Sequence, residues 1–411
     1  MKNQTVRTSR IIQELVGGAI VKGILFFMEE IIMKKIFAAT MAMTMGFSLV
    51  SCGSEKSTTN EPAPTSTEKK TIGISMPAQE LERWNNDGEY LKKHFEEIGY
   101  DVELVYAKND ASQQNNDVMG MISDKVDLLL IAAVDGTAMS KPLEEAKAAD
   151  IPVVAYDRLI MDSDAVTYYI SFDNYLVGKL QANFVHDQLN LGTSDGPYNI
   201  EFVGGDIGDN NAKYFFKGAY DTLKDDIESG KLVIQSGMTT FERVATQGWK
   251  SENAEKNMNH VLKYNYIDGK PLDAVVCAND STALGVIHAL ESSYTGEKFP
   301  VVIGQDGDID NLRYMVDGKQ AMTIYKNVND ESIVAFEVCK KILQGEIPSG
   351  KLVSELPVDV NYDSESYNNG VKYVQSFLLI PSVITKDNLQ FLVNTGLYKW
   401  DSEKKYLEKA N

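Results

Sequence analysis

The stretch VVAYDRLI (153–160) joins the pattern of a buried strand to a charged end. Val153 to Ala155 form an apolar, β-branched run that is typical of a strand inside a sheet. Asp157 and Arg158 follow at the point where this strand should leave the core. Neighbouring strand residues point to opposite sides, so a salt bridge between the two is not their obvious purpose. We expect each of them to turn towards a ligand.

Similar apolar runs recur from Thr71 onwards and alternate with stretches that have the apolar spacing of helices. They are TIGISM (71–76), VELVYA (102–107), LLLIAA (128–133), PVVAY (152–156), YNIEFVGG (198–205), KLVIQSG (231–237), DAVVCA (273–278), PVVIG (300–304), QAMTIYK (320–326) and PVDVNY (357–362). This alternation predicts an α/β fold with parallel sheets covered by helices on both faces. A break near YISFDNYLVGKLQ (169–181), where Asp173 or Asn174 could cap a new helix, divides the strands into two doubly wound domains.

The first seventy residues have the pattern of an export signal followed by a linker. Met33-Lys34-Lys35 precedes an uncharged apolar stretch, and LVSCG (49–53) resembles a bacterial lipobox. We predict a lipoprotein signal peptide at 33–51 with lipidation of Cys52, the alternative being an ordinary signal peptide with an incidental Cys. Residues 52–70, rich in Ser, Thr, Pro and charge, are predicted to be a flexible, lipid-anchored tether.

Residues 1–32 do not fit a signal peptide, which begins near the start of translation. The codons for Met28-Glu29-Glu30 can spell a purine-rich ribosome-binding sequence just before Met33. We therefore predict that translation starts at Met33 and that 1–32 is a mis-annotated extension.

Composition limits the classes of partner. The chain has 411 residues and a formal net charge of −19, which argues against nucleic acid as a partner and against broad attraction to anionic lipid. The only contact with a membrane is expected through the lipid anchor. Cys277 and Cys339 are expected to be small buried hydrophobes without a disulfide.

The exits of the predicted strands carry carboxylates, amides and arginines in both halves of the chain. In parallel sheets the ligand crevice lies outside the carboxyl ends of the strands, so we expect these side chains to converge. Such a mixture of donors and acceptors suits a neutral ligand with many hydroxyls, such as a sugar. Trp84 and Trp249, in two predicted cleft loops, could cover the apolar faces of a sugar ring.

Eight motifs together resemble the D-xylose-binding proteins of bacterial ABC import systems. They are LERW (81–84), AYDR (155–158), YISFDN (169–174), GGDIGDNNAK (204–213), SENA (251–254), ANDSTA (278–283), GQDGD (304–308) and MTIYK (322–326), in order between Ile72 and Asn388. The resemblance implies the periplasmic-binding-protein type I fold, with a multi-strand hinge between the two domains. It also implies a monosaccharide ligand, D-xylose above others, no cofactor, and delivery of the ligand to ABC permease subunits.

The resemblance implies a role for ten residues and a division into lobes. From the first lobe the sugar would be held by Arg83, Asp157 and Arg158, and from the second by Asp209, Asn211, Asn279 and Asp306. Lys326 would reach in from the strand that crosses back, and the sugar ring would be covered by Trp84 and Trp249. The first lobe is predicted to comprise 71–173 and 326–355, and the second 174–325 and 356–400. The tail Phe391–Asn411 departs from the family pattern and is expected to lie outside the pocket.

Other functions remain as alternatives. A protein with this ligand site could close its two lobes over the sugar and present that closed form to a sensor kinase ectodomain or a chemoreceptor instead of a permease. An enzyme is disfavoured, because no G-x-S-x-G, H-E-x-x-H or G-K-[ST] motif is present. DGDIDNLRYMVD (306–317) imitates a calcium loop, but Asn311 replaces its glycine and Asp317 its closing Glu, so a strand exit and helix cap is the better interpretation and no metal is expected.

Overall fold

The computed structural model describes residues 69–79 and 82–410. The predicted extension 1–32, the signal peptide, Cys52 and the tether up to residue 68 lie outside the described residues. In the part of the chain that is described, no helix is both long and apolar enough to cross a bilayer.

The described chain alternates strands and helices as the apolar pattern predicted. The strands are β1 Thr71–Met76, β2 Asp101–Tyr106, β3 Leu128–Ile131, β4 Val153–Tyr156, β5 Val166–Phe172, β6 Tyr198–Val203, β7 Leu232–Val233, β8 Ala274–Cys277, β9 Val301–Gln305, β10 Met322–Tyr325, β11 Val360–Asp363, β12 Gln375–Leu379, β13 Ser382–Thr385, β14 Tyr398–Trp400 and β15 Leu407–Lys409. The helices are α1 Glu82–Glu97, α2 Ala111–Ser123, α3 Ser140–Ala148, α4 Asn174–Gln188, α5 Asn210–Glu228, α6 Phe241–Val244, α7 Ser251–Asn265, α8 Asp280–Ser293, α9 Ile309–Val316, α10 Val328–Leu343 and α11 Gln390–Asn394.

Two sheets form two lobes with the same winding. The first sheet has the order β11-β12-β5-β4-β3-β1-β2 and the second β13-β10-β9-β8-β6-β7. Five neighbouring strands in each sheet are parallel and follow the order 2-1-3-4-5 when counted within the lobe. The predicted fold class, two doubly wound α/β domains, is confirmed. In this winding, ligand crevices lie at the carboxyl ends of the strands.

Short local signals begin several of the helices. The Asp173 side chain accepts a hydrogen bond from the Leu176 amide at 2.9 Å and caps α4. Asp209 caps α5, and Asn279 forms a capping box with Thr282 at the start of α8. Such caps pair amide groups that a helix start would otherwise leave without partners. They also fix side chains at strand exits, where the crevice is expected.

The chain crosses between the lobes three times, after β5, after β10 and after β12. The prediction that all of 356–400 belongs to the second lobe was wrong for 360–379. β12 lies parallel to β5 with Phe377 opposite Ile170, and β11 pairs antiparallel with β12. Phe377 is buried in the core of the first lobe, so its apolar surface decides where the segment docks. The chain then returns to the second lobe, where β13 pairs antiparallel with β10.

Each face of each sheet buries its own apolar cluster. Cys339 lies in a cluster of the first lobe and Cys277 in a cluster of the second, both fully buried. A smaller cluster joins the C-terminal segment to the second lobe: Leu392, Tyr398 and Leu407 pack against Leu312 and Met315 of α9. The hairpin of β14 and β15 is thereby fixed beside the carboxyl end of β9.

Candidate functional site

All ten predicted site residues line one cavity of about 470 Å³. Both lobes contribute to it, as expected if the carboxyl ends of their sheets face each other. The residues that the structure brings together are Arg83, Trp84, Asp157, Arg158, Asp209, Asn211, Trp249, Asn279, Asp306 and Lys326.

The adjacent charges Asp157 and Arg158 turn to different partners. Asp157 accepts a hydrogen bond from Arg83 Nη2 at 2.7 Å through its Oδ2. Arg158 Nε lies 3.9 Å from Asp209 Oδ2 in the second lobe. Arg158 Nη1 also donates to the carbonyls of Ala133 and Val134, in the loop that follows β3, at 3.1 and 3.2 Å. The two charges therefore serve the cavity separately, and no mutual salt bridge holds them.

A second acid–base group lies on the other lobe. Lys326 Nζ is 3.5 Å from Asp306 Oδ1, and Asn279 Nδ2 donates to Asp306 Oδ2 at 3.4 Å. The Lys326 ammonium also lies 5.5 Å from the centre of the Phe215 ring, a cation–π distance. Each side of the cavity thus offers a carboxylate beside a cation, so hydroxyl groups could both donate and accept there.

Three cavity residues have backbone angles that side chains other than glycine rarely adopt. The φ angles of Asp157, Trp249 and Asp306 are +59°, +58° and +108°. Asp tolerates the left-handed region better than most residues, whereas a bulky Trp rarely occupies it. Strained backbone of this kind tends to occur at ligand sites, because the surrounding fold stabilises a conformation that directs the side chain towards the ligand.

The two tryptophans of the cavity have different surroundings. Trp84 is 4% exposed, and the guanidinium carbons of Arg83 and Arg158 lie 4.4 and 5.5 Å from its ring centre. Trp249 lies against Gly205, where an added Cβ would come within 1.9 Å of the indole. Gly205 therefore makes the room that lets the Trp249 ring reach the cavity.

Asn211 joins the lobes as well as lining the cavity. Its Nδ2 donates to the Asp157 carbonyl at 2.9 Å, and its Oδ1 accepts from Tyr169 Oη at 3.1 Å. An amide carries two N–H groups and two acceptor positions, so each atom keeps capacity for a ligand. Asn211 is placed to respond to both the ligand and the relative position of the lobes.

Burial and neighbouring cations set the charge of the carboxylates. Burial alone would raise the pKa of Asp157, but Arg83, Lys326 and Arg158 outweigh it and lower that pKa. For Asp209, burial prevails over the attraction of Arg158 and raises the pKa. The neighbouring cations therefore hold Asp157 in its charged form, the form that accepts two or more hydrogen bonds.

The cavity has a wall that the sequence argument missed. Leu397, Tyr398, Lys409 and Ala410 line it, so the expectation that the tail lies outside the pocket was wrong. Tyr398 Oη donates to the carbonyl of Gly307, next to Asp306, at 2.9 Å, and Lys409 Nζ donates to Tyr398 Oη at 3.3 Å. Other lining residues without a predicted role are Asn86, Phe215, Gln305, Asp308, Tyr325, Val328 and Asn329.

A sequence signal existed for some of these residues. Gln305 and Asp308 stand inside the quoted motif GQDGD (304–308), and Asn86 comes two residues after Trp84. The tail offered no comparable signal, because its position depends on distant packing against α9. The stretch 306–317, which imitates a calcium loop, runs from the exit of β9 into α9.

Comparison with known proteins assigns the family. Residues 72–347 match the sequence profile described as a periplasmic binding protein domain. The chain belongs to the periplasmic binding protein family. This periplasmic binding protein is 38% identical over 341 residues to the multiple sugar-binding periplasmic receptor ChvE of Rhizobium radiobacter. The aligned region covers 82% of this chain and 93% of that relative. This chain is 33% identical over 329 residues to the D-xylose-binding periplasmic protein of Escherichia coli, over 80% of the chain and 91% of that relative.

A solved structure supports the same assignment. The solute-binding protein of an ABC transporter from Clostridium phytofermentans, determined with bound β-D-glucose, superposes on this periplasmic binding protein with a TM-score of 0.72. The two share 42% sequence identity, over 82% of this chain and 99% of the other.

Proposed function

We propose that this protein captures a monosaccharide in the cavity between its lobes, outside the cytoplasm, and delivers it to the permease subunits of an ABC importer. The observation that carries the proposal is the pair of acid–base groups facing the cavity from the two lobes, Arg83 with Asp157 and Lys326 with Asp306. A neutral sugar presents hydroxyls that both donate and accept, and this arrangement can pair with them on two sides.

Capture follows from the two-lobe architecture. A sugar held by one lobe supplies the contacts that favour closure of the other, which shifts the population of lobe positions around the three crossing segments. Asn211 already connects the lobes close to the ligand groups. Specificity then depends on hydroxyl geometry, because a missing or inverted hydroxyl leaves a buried polar group unpaired.

D-xylose is the first candidate ligand. The ten residues and their motifs resemble those of D-xylose-binding proteins, and one relative carries that name. The names of other similar proteins widen the set to be tested, since they include a multiple sugar-binding receptor and a protein determined with β-D-glucose. These relatives are named as binding proteins or receptors, in line with a function that involves no catalysis.

A lipid on Cys52 would hold the protein at the outer face of a bacterial membrane. The lipobox at 49–53 and the polar stretch that follows it support this part of the proposal. Metabolic labelling with a radioactive fatty acid should mark the wild-type chain but not Cys52→Ser. Labelling of the variant would contradict the anchor.

The second candidate function is that of a sugar sensor. It is favoured by the name of one relative, which is a receptor. A pull-down in the presence of sugar separates the two: recovery of permease subunits supports import, and recovery of a sensor kinase ectodomain or a chemoreceptor supports sensing.

Calorimetry tests the ligand directly. A soluble fragment that begins near Thr71 is titrated with D-xylose, D-glucose, D-ribose and L-arabinose. We expect tight binding of D-xylose that is lost in Arg158→Ala. Binding of another sugar would change the ligand and keep the site, whereas binding of none of them would contradict the proposed function.

A further inference from the structure

A buried acid of α10 touches the ligand site, although no motif pointed to it. Glu331 is fully buried, and its Oε2 accepts a hydrogen bond from Arg83 Nη2 at 2.7 Å. The same Nη2 atom donates to Asp157 Oδ2, also at 2.7 Å. One nitrogen of the guanidinium thus connects a cavity carboxylate with a carboxyl behind it.

The surroundings hold more acid than base. Asp87, 1% exposed, has its Oδ2 3.6 Å from Arg83 Nε and accepts a hydrogen bond from Tyr156 Oη at 2.9 Å. Three buried carboxyl groups therefore crowd one guanidinium, which is itself partly exposed to the cavity. Glu331 Oε1 and Asp87 Oδ1 are both buried without a hydrogen-bond partner among the described residues. Keeping three negative charges there would be costly, and a proton on one carboxyl relieves the repulsion.

Glu331 also lies at a crossing between the lobes. It stands in the first turn of α10, which begins directly after the chain leaves β10 and Lys326. Movement of the lobes about this crossing would displace Glu331, and the hydrogen bond from Arg83 Nη2 to Glu331 would transmit the displacement to Arg83. The contact thus connects the ligand site with a segment that must adjust when the lobes close.

We propose that Glu331 is a positioning residue that, as a neutral carboxylic acid, holds the Arg83 guanidinium against Asp157 and links the cavity to the crossing between the lobes. The inference rests on the proposed function, because it assigns Glu331 a part in sugar binding. No atom of Glu331 needs to touch the sugar, since Arg83 and Asp157 line the cavity and Glu331 does not.

The charge environment supports the neutral form. Burial raises the pKa of Glu331 well above its usual value, and the repulsion of Asp157 outweighs the attraction of Arg83. The titratable and charged groups that face it come from α1, the ends of β4 and β10, and β5: Arg83, Asp87, Tyr156, Asp157, Tyr169 and Lys326. Closure over a sugar removes more water and makes a charged Glu331 still less favourable. Binding therefore takes up a proton once Glu331 begins to ionise, and affinity falls as pH rises.

The test compares three variants of the full-length chain. Dissociation constants for D-xylose and D-glucose are measured by calorimetry between pH 5.5 and 8.5. We expect the wild type to lose affinity towards alkaline pH. Glu331→Gln, neutral at every pH and similar in shape, should keep the affinity of the neutral form and make this profile shallower. Glu331→Ala should bind roughly tenfold or more weakly at every pH, because Arg83 loses a hydrogen bond that orients it.

Glu337→Gln is the matched control on the same helix, since that side chain pairs with Lys340 and not with the cavity. It should keep both the wild-type affinity and the wild-type pH profile. A Glu331→Gln profile as steep as that of the wild type would overturn the proposal, and so would wild-type affinity in Glu331→Ala.

A readout without sugar separates this inference from the proposed function. Burial also raises the pKa of Asp280, so the test is the difference between two variants. At neutral pH, the infrared spectrum of the wild type minus that of Glu331→Gln should show the carbonyl band of one protonated carboxylic acid. If the wild type binds neither sugar, the proposed ligand fails while this band still decides the state of Glu331. A difference spectrum that lacks this band contradicts the neutral acid.

Discussion

Asp157 and Asp306 occupy equivalent positions in the two lobes. Asp157 directly follows β4 and Asp306 directly follows β9, and each of these is the fourth strand of its lobe in chain order. Both residues have a positive φ, +59° and +108°. Each donates its backbone N–H at 2.7 Å to the fifth strand, Asp157 to Ile170 and Asp306 to Ile324. Each carboxylate lies beside a cation. The cavity is therefore built from two copies of one local arrangement that face each other.

We expect Asp157→Asn to weaken sugar binding roughly ten- to hundredfold, because hydrogen bonds to a charged partner are among the strongest in proteins. The amide keeps the size of the side chain and removes its charge next to Arg83. Calorimetry measures the change. Asp268→Asn is the control, since Asp268 also has a positive φ, +57°, but is exposed and does not line the cavity. Equal affinities in the two variants would contradict the role of Asp157.

Gly205→Ala should displace the Trp249 ring, because the new methyl group would come within 1.9 Å of it. We expect sugar affinity to fall roughly tenfold and the free energy of unfolding to fall by about 1–3 kcal/mol, the usual cost of overpacking. Trp fluorescence during titration reports this ring once the signal of Trp249→Phe, which retains Trp84 and Trp400, has been subtracted. Gly120→Ala, in α2 with open space around its Cβ, should leave affinity unchanged and stabilise the helix by up to about 1 kcal/mol. A normal fluorescence response in Gly205→Ala would show that the indole does not need this room.

Tyr398→Phe should reduce sugar affinity several-fold, since it frees the Gly307 carbonyl beside Asp306 and removes a partner of Lys409. The free energy of unfolding should fall by about 1 kcal/mol, the net worth of one hydrogen bond. Tyr406→Phe removes an exposed hydrogen bond of the same hairpin, to Asp317 at 2.9 Å, away from the cavity. That control should lose less stability, because water can replace the bond, and it should keep its affinity. If both variants bind sugar like the wild type, the hairpin does not shape the site.

Asp87 should make the protein less stable as pH rises from about 4 to about 6. Burial raises the pKa of Asp87 to about 6, against the opposing effects of Arg83 and Tyr156. The folded state thus favours the neutral form of Asp87. This stabilisation is complete below the pKa that Asp87 has in the unfolded chain, and it is lost as pH rises through the pKa that Asp87 has in the folded protein. Asp87→Asn should remove up to about 3 kcal/mol of this pH dependence.

Urea unfolding of the sugar-free protein at several pH values between 4 and 7 measures the Asp87 effect. Asp268→Asn, which removes an exposed carboxylate, should retain the pH dependence of the wild type. An Asp87→Asn curve parallel to the wild-type curve would show that Asp87 ionises normally in the folded state.

The strand exits could be predicted from sequence because their signals are local. An apolar run that stops at a carboxylate or amide indicates both a strand and its carboxyl end, and parallel winding gathers such ends at one edge. That reasoning led to Asp157, Asn279 and Asp306 without knowledge of any contact. It also gave the α/β class and the break after β5, since Asp173 does cap α4.

Contacts between distant segments escaped the same reasoning. β5 was overlooked because its run continues directly into the capped helix, and β12 joins the first lobe only by pairing with β5. Glu331 looked like an ordinary helix residue, since nothing near it in the chain shows that Arg83 comes within 2.7 Å. The hairpin wall depends on Leu392 and Leu407 packing against α9. Side-chain chemistry at a strand exit is local information, whereas docking is not.

The return of β12 to the first sheet has a consequence for how the protein folds. During synthesis, β5 emerges before the whole second lobe, yet its neighbour in the sheet emerges after it. The nascent first lobe therefore carries an open strand edge, which favours slow folding and association with other chains. β13 closes the edge of β10 in the same late part of the chain. Both sheets are completed almost together, once synthesis has passed the third crossing, so the two halves of the cavity become competent at nearly the same moment.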